Sequence, residues 1–169
     1  VIRHSLGDEG RQRFHREVQA HAGLVHPGIV YLFEYGDVTA EAGTRSELVA
    51  GSPYVAMELA DHGTLRDHMP VGSWDPVRQL LLEVLDALAF AHARRVVHRD
   101  LKPENFLVFA NGEGGQSIKL ADFGIVHAVG EEDERSTTEL ATASGTPLYM
   151  PPEQGKGEWR QYGPWTDLY

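Results

Sequence analysis

The sequence predicts an α+β fold, because helical and strand patterns occupy separate stretches of the chain. Residues 8–24 and 77–93 carry apolar side chains at the spacing of one helix face. Residues 106–109 and 117–121 are short runs joined by an Asn- and Gly-rich turn, which is the pattern of an antiparallel hairpin. The length of 169 residues is that of one domain and is sufficient for a buried hydrophobic core.

The composition excludes several classes of function. The formal net charge of −10 argues against a nucleic-acid groove. No apolar run approaches the roughly 18 residues of a membrane span. The chain has no cysteine, which excludes disulfides and zinc–cysteine sites, and its 9 histidines are scattered without the spacing of a metal site. We therefore expect a soluble, cytoplasmic segment that contacts neither nucleic acid nor membrane.

The amino-terminal part of the chain is predicted to contain one helix and two strands. In the helix over residues 8–24, Phe14, Val18 and His21 share one face, and charged residues cover the other. This pattern is typical of a helix that packs one face on a core. The elements that follow are a turn, a strand, an exposed polar loop and a second, buried strand, predicted over residues 26–28, 29–35, 37–52 and 53–59.

Two helices are predicted in the central part of the chain. Thr64 is a suitable N-cap for a short helix that follows Gly63. Asp75 and Pro76 form the pair that is typical of an N-cap and a first helical position, so the long helix is predicted to start there. Its apolar residues recur at helical spacing and indicate a deeply buried helix: Leu81, Val84, Leu85, Leu88, Ala89 and His92.

Four short motifs follow the long helix and carry the chemistry. The first is HRDLKPEN at residues 98–105, and the others are DFG at 122–124, GTP at 145–147 and PE at 152–153. Aspartate and asparagine oxygens are ligands that suit Mg²⁺, and a lysine nearby suits a phosphate group. Taken singly, these residues are as typical of a turn, but their order and spacing are typical of phosphoryl transfer.

These motifs resemble those of the protein kinase superfamily, and most closely those of bacterial kinases of the eukaryote-like (Hanks-type) serine/threonine type. The resemblance implies a two-lobed, protein-kinase-like fold that is truncated at both ends, from the end of the family's third strand to the start of its αF helix. Residues 1–59 correspond to the remainder of the small lobe and the hinge. Residues 60–169 correspond to the first part of the large lobe, with the catalytic loop and the activation segment.

The same resemblance implies segments outside the chain. The strand lysine and the glycine-rich loop of the family would precede residue 1, and further helices would follow residue 169. The chain by itself is therefore expected to be inactive and poorly folded, because part of the nucleotide site and the cover of an apolar helix face would be missing.

The resemblance assigns catalytic roles to residues of the motifs. Asp100 would be the base that accepts the proton of a substrate hydroxyl, and Lys102 would meet the γ-phosphate of ATP. Asn105 and Asp122 would hold Mg²⁺ or Mn²⁺. Glu17, on the helix equivalent to the family's αC, would pair with the strand lysine. The residues implied in ATP binding are Met57, Glu58, Leu59 and Ala60 at the hinge, Leu107 under the adenine ring, Lys102 and Asp122.

Further residues are implied in holding the site in shape. His98 and Phe123 would stack with His21 and Leu32, and this stack would tie the two lobes together. His21 departs from the family pattern, in which a large aliphatic residue is usual at this position. Asp167 would accept hydrogen bonds from backbone N–H groups near His98.

Three residues are implied in regulation. Thr142, in the activation segment, is the expected site of an activating phosphate. Arg99 would pair with that phosphate, which adds a charge of roughly −2 and three acceptor oxygens. Thr146 is expected to hydrogen-bond Asp100 or Lys102. The acidic run at residues 131–134 is an alternative partner for Arg99.

The function implied by this resemblance is that of a serine/threonine protein kinase, which transfers the γ-phosphate of ATP to hydroxyl groups of protein substrates. A dimer in which one copy phosphorylates another is compatible with it. Two alternatives stay open. One is a catalytically inactive pseudokinase that acts as a scaffold, and the other is a small-molecule phosphotransferase. The DFG motif and the GTPLYMPPE stretch favour a protein substrate over a small molecule.

Overall fold

A computed structural model describes residues 7–45, 47–69, 72–112, 114–123 and 147–169. The mixture of helices and strands confirms the predicted α+β class. The longer elements are α1 (Asp8–Ala22), β1 (Leu32–Asp37), α2 (Ala40–Arg45), β2 (Pro53–Met57), α3 (Trp74–His92), β3 (Phe106–Ala110), β4 (Gln116–Leu120) and α4 (Pro152–Gly155). Short 3₁₀ helices span Leu65–His68, Pro103–Asn105, Pro147–Tyr149, Trp159–Gln161 and Pro164–Leu168. No helix in the described ranges is long and apolar enough to cross a membrane.

Helix α1 packs on the hairpin formed by β1 and β2. The two strands are antiparallel, with Leu32 opposite Met57. Phe14 and Val18 are fully buried on the face of α1 that the sequence predicts, and Leu32 belongs to the same cluster. The partly buried Met57 packs against this cluster from β2. The apolar face of α1 therefore fixes the helix on the sheet next to the predicted hinge.

The limits of the two strands differ from the prediction. β1 begins at Leu32 and not at residue 29, because the backbone of the preceding residues pairs elsewhere. Ile29 forms a parallel bridge with Leu120, and the N–H of Val30 donates to the carbonyl oxygen of Leu120 at 2.8 Å. β2 ends at Met57 and, apart from its first residue, is half-buried where the sequence predicts a buried strand.

The region predicted as an exposed loop, residues 37–52, contains helix α2. The Thr39 hydroxyl caps the helix by accepting a hydrogen bond from the N–H of Ala42 at 3.1 Å. No residue of α2 is buried. At its base the connection is closed by the N–H of Val38, which donates to the carbonyl oxygen of Ser52 at 2.9 Å. The polar sequence thus forms an exposed helical turn on a buried base.

Helix α3 contributes one face to a buried hydrophobic cluster. Its buried residues are Val84, Ala87, Leu88 and Ala91, which cluster with Leu24, Ile29, Leu120 and Phe123. The helix begins at Trp74 after the N-cap residue Ser73, two residues earlier than predicted from Asp75 and Pro76. The prediction of a deeply buried helix is wrong for its other face, where Leu81 and Leu85 are 45% and 47% exposed.

The β3–β4 hairpin is confirmed as predicted. Phe106 lies opposite Leu120, and Ala110 lies opposite Gln116. The turn between them closes through Asn111, whose carboxamide oxygen accepts the N–H of Gly115 at 2.7 Å. Because the catalytic loop precedes β3 and the DFG motif follows β4, the hairpin places the two motifs side by side.

Candidate active site

The catalytic loop holds three of the predicted site residues in mutual contact. The ammonium group of Lys102 lies 2.6 Å from Oδ2 of Asp100. Nδ2 of Asn105 donates to the backbone carbonyl of Asp100 at 2.8 Å and to its Oδ2 at 3.0 Å. The Asn105 side chain is buried, and its position is set by the 3₁₀ turn Pro103–Asn105. With Nδ2 engaged in this way, the other end of the carboxamide, Oδ1, remains as an oxygen that suits a metal ion.

Asp122 follows β4 with a backbone φ of 58°, which is unusual for a residue other than glycine. This conformation turns the chain so that Phe123 enters the core, where it is 2% exposed. Burial raises the pKa of the Asp122 carboxyl, and the charge of Asp100 raises it further, while His98 and Lys102 oppose the shift. A carboxylate whose charge is disfavoured by burial forms a site that a cation would stabilise.

Asp167 holds the catalytic loop from the carboxy-terminal end of the chain, as predicted. Its Oδ2 accepts the N–H of His98 at 2.8 Å, and its Oδ1 accepts the N–H of Arg99 at 2.7 Å. A third partner was not predicted. Nε2 of His92, at the end of α3, lies 2.7 Å from the same Oδ2. The buried carboxylate therefore joins α3 to the backbone that leads to Asp100.

Arg99 has a backbone φ of 68° and is held on several sides. Its carbonyl oxygen accepts a hydrogen bond from Nε2 of Gln154 at 2.6 Å. Its guanidinium group lies 3.8 Å from Oε1 of Glu17 on α1. Glu17 therefore faces the catalytic loop. Its predicted lysine partner would precede the chain, and the pairing of Arg99 with a phosphate at Thr142 falls outside the described residues.

The predicted aromatic stack is present. The Phe123 ring lies between the rings of His21 and His98, with centroid distances of 5.0 Å and 4.6 Å. His98 is fully buried and its Nε2 lies 2.8 Å from the carbonyl oxygen of Ala121. Burial lowers the pKa of His98, although the negative charge of Asp167 acts in the opposite direction and raises it. Leu32, which was expected to join this stack, belongs to the cluster with Phe14 on α1.

Three of the residues predicted to contact adenine pack on one cluster. Met57, Ala60 and Leu107 lie against the buried side chains of Val30, Phe109 and Ala121. Leu59, in contrast, is 90% exposed, so only its backbone is available to the predicted nucleotide site. The structure therefore brings the side chains of β2 and β3 together where the sequence predicts the adenine pocket.

The side chain of Glu58 is fixed by two contacts. Its Oε1 accepts the N–H of Tyr31 at 2.6 Å, and its Oε2 lies 2.6 Å from Nζ of Lys119. Lys119 is on β4, opposite Leu107. The ion pair was not predicted, because nothing in the local sequence of β4 distinguishes this lysine from a solvent-exposed one.

Several predicted residues lie outside the described ranges, among them Gly124, Thr142 and Thr146. Among the described residues, three were missed: His92, Lys119 and Gln154. His92 had a sequence signal of a kind, since a histidine is the polar exception in the apolar pattern of α3. No cluster of three or more His, Cys, Asp or Glu side chains suited to a metal occurs in the described part of the chain.

The order of the motifs, the β3–β4 hairpin and the contacts around Asp100 are those expected of a protein kinase domain. Comparison with known proteins agrees. The model of the protein kinase domain family matches residues 1–169. The chain is 37% identical over 149 residues to the serine/threonine-protein kinase PknB of Mycobacterium leprae, covering 86% of this chain and 22% of that protein. It is 35% identical over 160 residues to a probable serine/threonine-protein kinase of Streptomyces coelicolor, covering 93% and 22%.

Solved structures give the same result. A crystal structure of a mutant of the Mycobacterium tuberculosis PknI kinase domain superposes with a TM-score of 0.61 at 28% identity, covering 89% of this chain and 50% of that one. The chain belongs to the protein kinase domain family, and its similarity is to bacterial serine/threonine kinases. It spans about a fifth of the length of the curated relatives that it matches.

Proposed function

We propose that the protein containing this chain is an ATP-dependent serine/threonine protein kinase. The observation that carries the proposal is the contact of Asp100 with both Lys102 and Asn105, one hairpin away from Asp122. ATP and a divalent metal ion are the general cofactors of the family, and we propose Mg²⁺ or Mn²⁺ here. The substrates are protein serine and threonine hydroxyls.

The side chains divide the work of phosphoryl transfer. Asp100 accepts the proton of the substrate hydroxyl, and its carboxylate is oriented by Nδ2 of Asn105 and by Lys102. Lys102 lies next to the carboxylate, so that it meets the negative charge that develops on the transferred phosphoryl group. Asn105 and Asp122 would hold the metal ion, which supplies charge neutralisation of the ATP phosphates.

The nucleotide is proposed to lie between β2 and β3. Met57 and Leu107 would flank the adenine ring, because both pack on the cluster around Val30. The backbone of Glu58, Leu59 and Ala60 would supply polar contacts. This assignment is supported by the side chain of Glu58, whose two contacts fix the hinge backbone.

The first prediction tests the reaction in the protein at its natural full length. Asp100→Asn and Asp122→Ala should each lower kcat by several orders of magnitude, because residues that act as a unit are each indispensable. The measurement is transfer of labelled γ-phosphate from ATP to a protein acceptor with Mg²⁺. Asp86→Asn, on the exposed side of α3, is the matched control and should retain full activity. Equal labelling by wild type and the Asp100 and Asp122 variants would contradict the proposal and favour a scaffold function.

A further inference from the structure

The peptide unit between Arg99 and Asp100 is held from both sides. Its carbonyl oxygen, on Arg99, accepts Nε2 of Gln154 at 2.6 Å. Its N–H, on Asp100, faces Nδ1 of His98 at 3.3 Å. A peptide unit is planar, so contacts at its two ends fix the orientation of the whole plane. The direction of the following Cα–Cβ bond, which carries the Asp100 carboxylate, depends on that plane.

This orientation needs external support. Arg99 has a φ of 68°. For a residue with a side chain this backbone conformation costs about 1–3 kcal/mol, and it persists only where the surrounding structure enforces it. Asp167 enforces it at the N–H of Arg99, at 2.7 Å. Gln154 is the group that enforces it at the carbonyl. Without Gln154, the plane between Arg99 and Asp100 would lose its shorter contact and keep the longer one from its N–H to His98.

Gln154 is itself well placed to act as a fixed donor. It lies on the single-turn helix α4 and is partly buried. Its backbone N–H donates to the carbonyl oxygen of Pro151 at 3.0 Å, and the neighbouring Glu153 accepts the hydroxyl of Thr166 at 2.9 Å. The turn is thus anchored on both sides. The carboxamide nitrogen can only donate a hydrogen bond, and the backbone carbonyl of Arg99 can only accept one, so the two groups are complementary.

We propose that Gln154 is a positioning residue for Asp100, and that it links the end of the PPE segment to the catalytic loop. The inference deepens the kinase function proposed above and rests on it. Gln154 touches neither nucleotide nor substrate in this proposal. It acts on the reaction through the orientation of the Arg99–Asp100 peptide, so its loss should lower kcat and leave nucleotide binding unchanged.

The experiment compares Gln154→Met, Gln154→Glu and a control, Gln161→Met, in the full-length protein. Methionine keeps the length of the side chain and removes the donor. Gln161 is an exposed glutamine in the same region of the chain. Gln154→Met should lower kcat about tenfold, the size of one hydrogen bond, with KM for ATP unchanged. Gln161→Met should match the wild type.

Gln154→Glu adds a second measurement, the pH dependence of kcat, which would not change if Gln154 had only a structural role. At neutral pH a carboxylate can only accept, so it faces the Arg99 carbonyl without a proton to share. Its kcat should fall below that of Gln154→Met and should recover relative to wild type as the pH is lowered and the carboxyl becomes a donor. Parallel pH profiles for Gln154→Glu and wild type would overturn the positioning role.

A measurement without catalysis separates this inference from the function on which it rests. Amide hydrogen exchange in the peptide that contains Asp100 should be faster in Gln154→Met than in Gln161→Met, and this can be read in the absence of ATP. A wild type that transfers no phosphate would refute the proposed kinase activity, while the exchange rates would still decide the contact. Unchanged exchange, unchanged kcat, or a loss confined to KM for ATP would overturn the role of Gln154.

Discussion

The imidazole ring of His21 lies inside the protein, between α1 and the DFG phenylalanine. It is 1% exposed, and neither ring nitrogen has a partner with hydrogen-bond geometry among the described residues. A polar backbone group of Val30 is close enough to raise the pKa of His21 without completing a hydrogen bond. Burial outweighs it and lowers the pKa to about 4 from an ordinary value of 6.5. The ring is therefore neutral in the folded protein at neutral pH.

The second prediction follows from this buried ring. His21→Leu should raise the free energy of unfolding by about 1–3 kcal/mol at neutral pH, because it removes two unsatisfied polar atoms. The difference should grow as the pH falls from 6.5 towards 4, since over this range the unfolded wild type binds a proton that the folded state refuses. The extra destabilisation of wild type amounts to about 3 kcal/mol when the window is crossed.

Urea unfolding of both proteins at neutral pH and at about pH 5 measures the effect. His62→Leu, at an exposed position, is the control. Its free energy of unfolding should not rise at neutral pH, and its difference from wild type should not grow at lower pH. A His21→Leu difference that stays constant between the two pH values would contradict the account, because it would mean that the ring titrates equally in the folded and unfolded chains.

The residues of the site could be predicted where they lie close together in the sequence. Asp100, Lys102 and Asn105 lie within six positions of one another, so one motif defines them all. His92 and Gln154 could not be assigned in the same way. Each reaches its partner across the fold, and the pairing depends on where the end of α3 and the turn of α4 lie relative to the catalytic loop.

At the level of elements, the hinge and the β3–β4 hairpin are joined by one partly buried ion pair. Lys119 and Glu58 are 22% and 21% exposed, and Nζ of Lys119 also lies 4.6 Å from the ring centroid of Phe109. Taking two charges out of water costs free energy that their mutual attraction offsets, so the loss of one partner leaves the other charge uncompensated. The pair therefore holds β4 to the segment proposed to bind adenine.

The third prediction concerns this ion pair. Lys119→Met should raise KM for ATP about three- to tenfold with little change in kcat, because the hinge backbone loses its support while Asp100 keeps its own. This split is the opposite of that expected for Gln154→Met. Lys156→Met, at an exposed lysine, should leave both constants unchanged. Steady-state kinetics at varied ATP concentration would contradict the prediction if Lys119→Met lowered kcat alone.

Elements were predicted well where the pattern is local and less well at their limits. The apolar face of α1 and the β3–β4 hairpin follow directly from periodicity and turn residues. The start of β1 does not, because Ile29 and Val30 have the composition of the strand and yet pair with β4. The helix inside residues 37–52 was missed because its small and polar residues form no apolar face, and only Thr39 marks its start.

For the whole molecule, the most consequential feature is the uncovered apolar side of α3. Leu81, Leu82 and Leu85 are between 45% and 48% exposed, and Trp74 is 66% exposed. Scattered apolar residues on a surface are ordinary, but a contiguous group along one helix favours association. The formal charge of −10 opposes it only weakly at physiological salt, because screening shortens the range of the repulsion.

The fourth prediction is that residues 1–169, expressed alone, associate in a concentration-dependent way through this side of α3. Replacing Leu82 by Lys and Leu85 by Glu should reduce the association and keep the net charge, because the apolar group is interrupted. The charge-conserving pair Arg78→Lys and Asp86→Glu, at exposed positions of the same helix, is the control. Light scattering or sedimentation that showed a monomer for the unaltered chain at high concentration would be evidence against it.

The bridge between Ile29 and Leu120 affects how the chain folds during its synthesis. The N–H of Leu120 donates to the carbonyl oxygen of Gly28, so the backbone of residues 28–30 is completed only by a strand from far along the chain. Contacts of such long sequence separation form late and slow the search for the native state. During translation, residues 28–30 would leave the ribosome before β4 does. Their backbone groups would stay unpaired until the β3–β4 hairpin, which leads into the DFG motif, is synthesised.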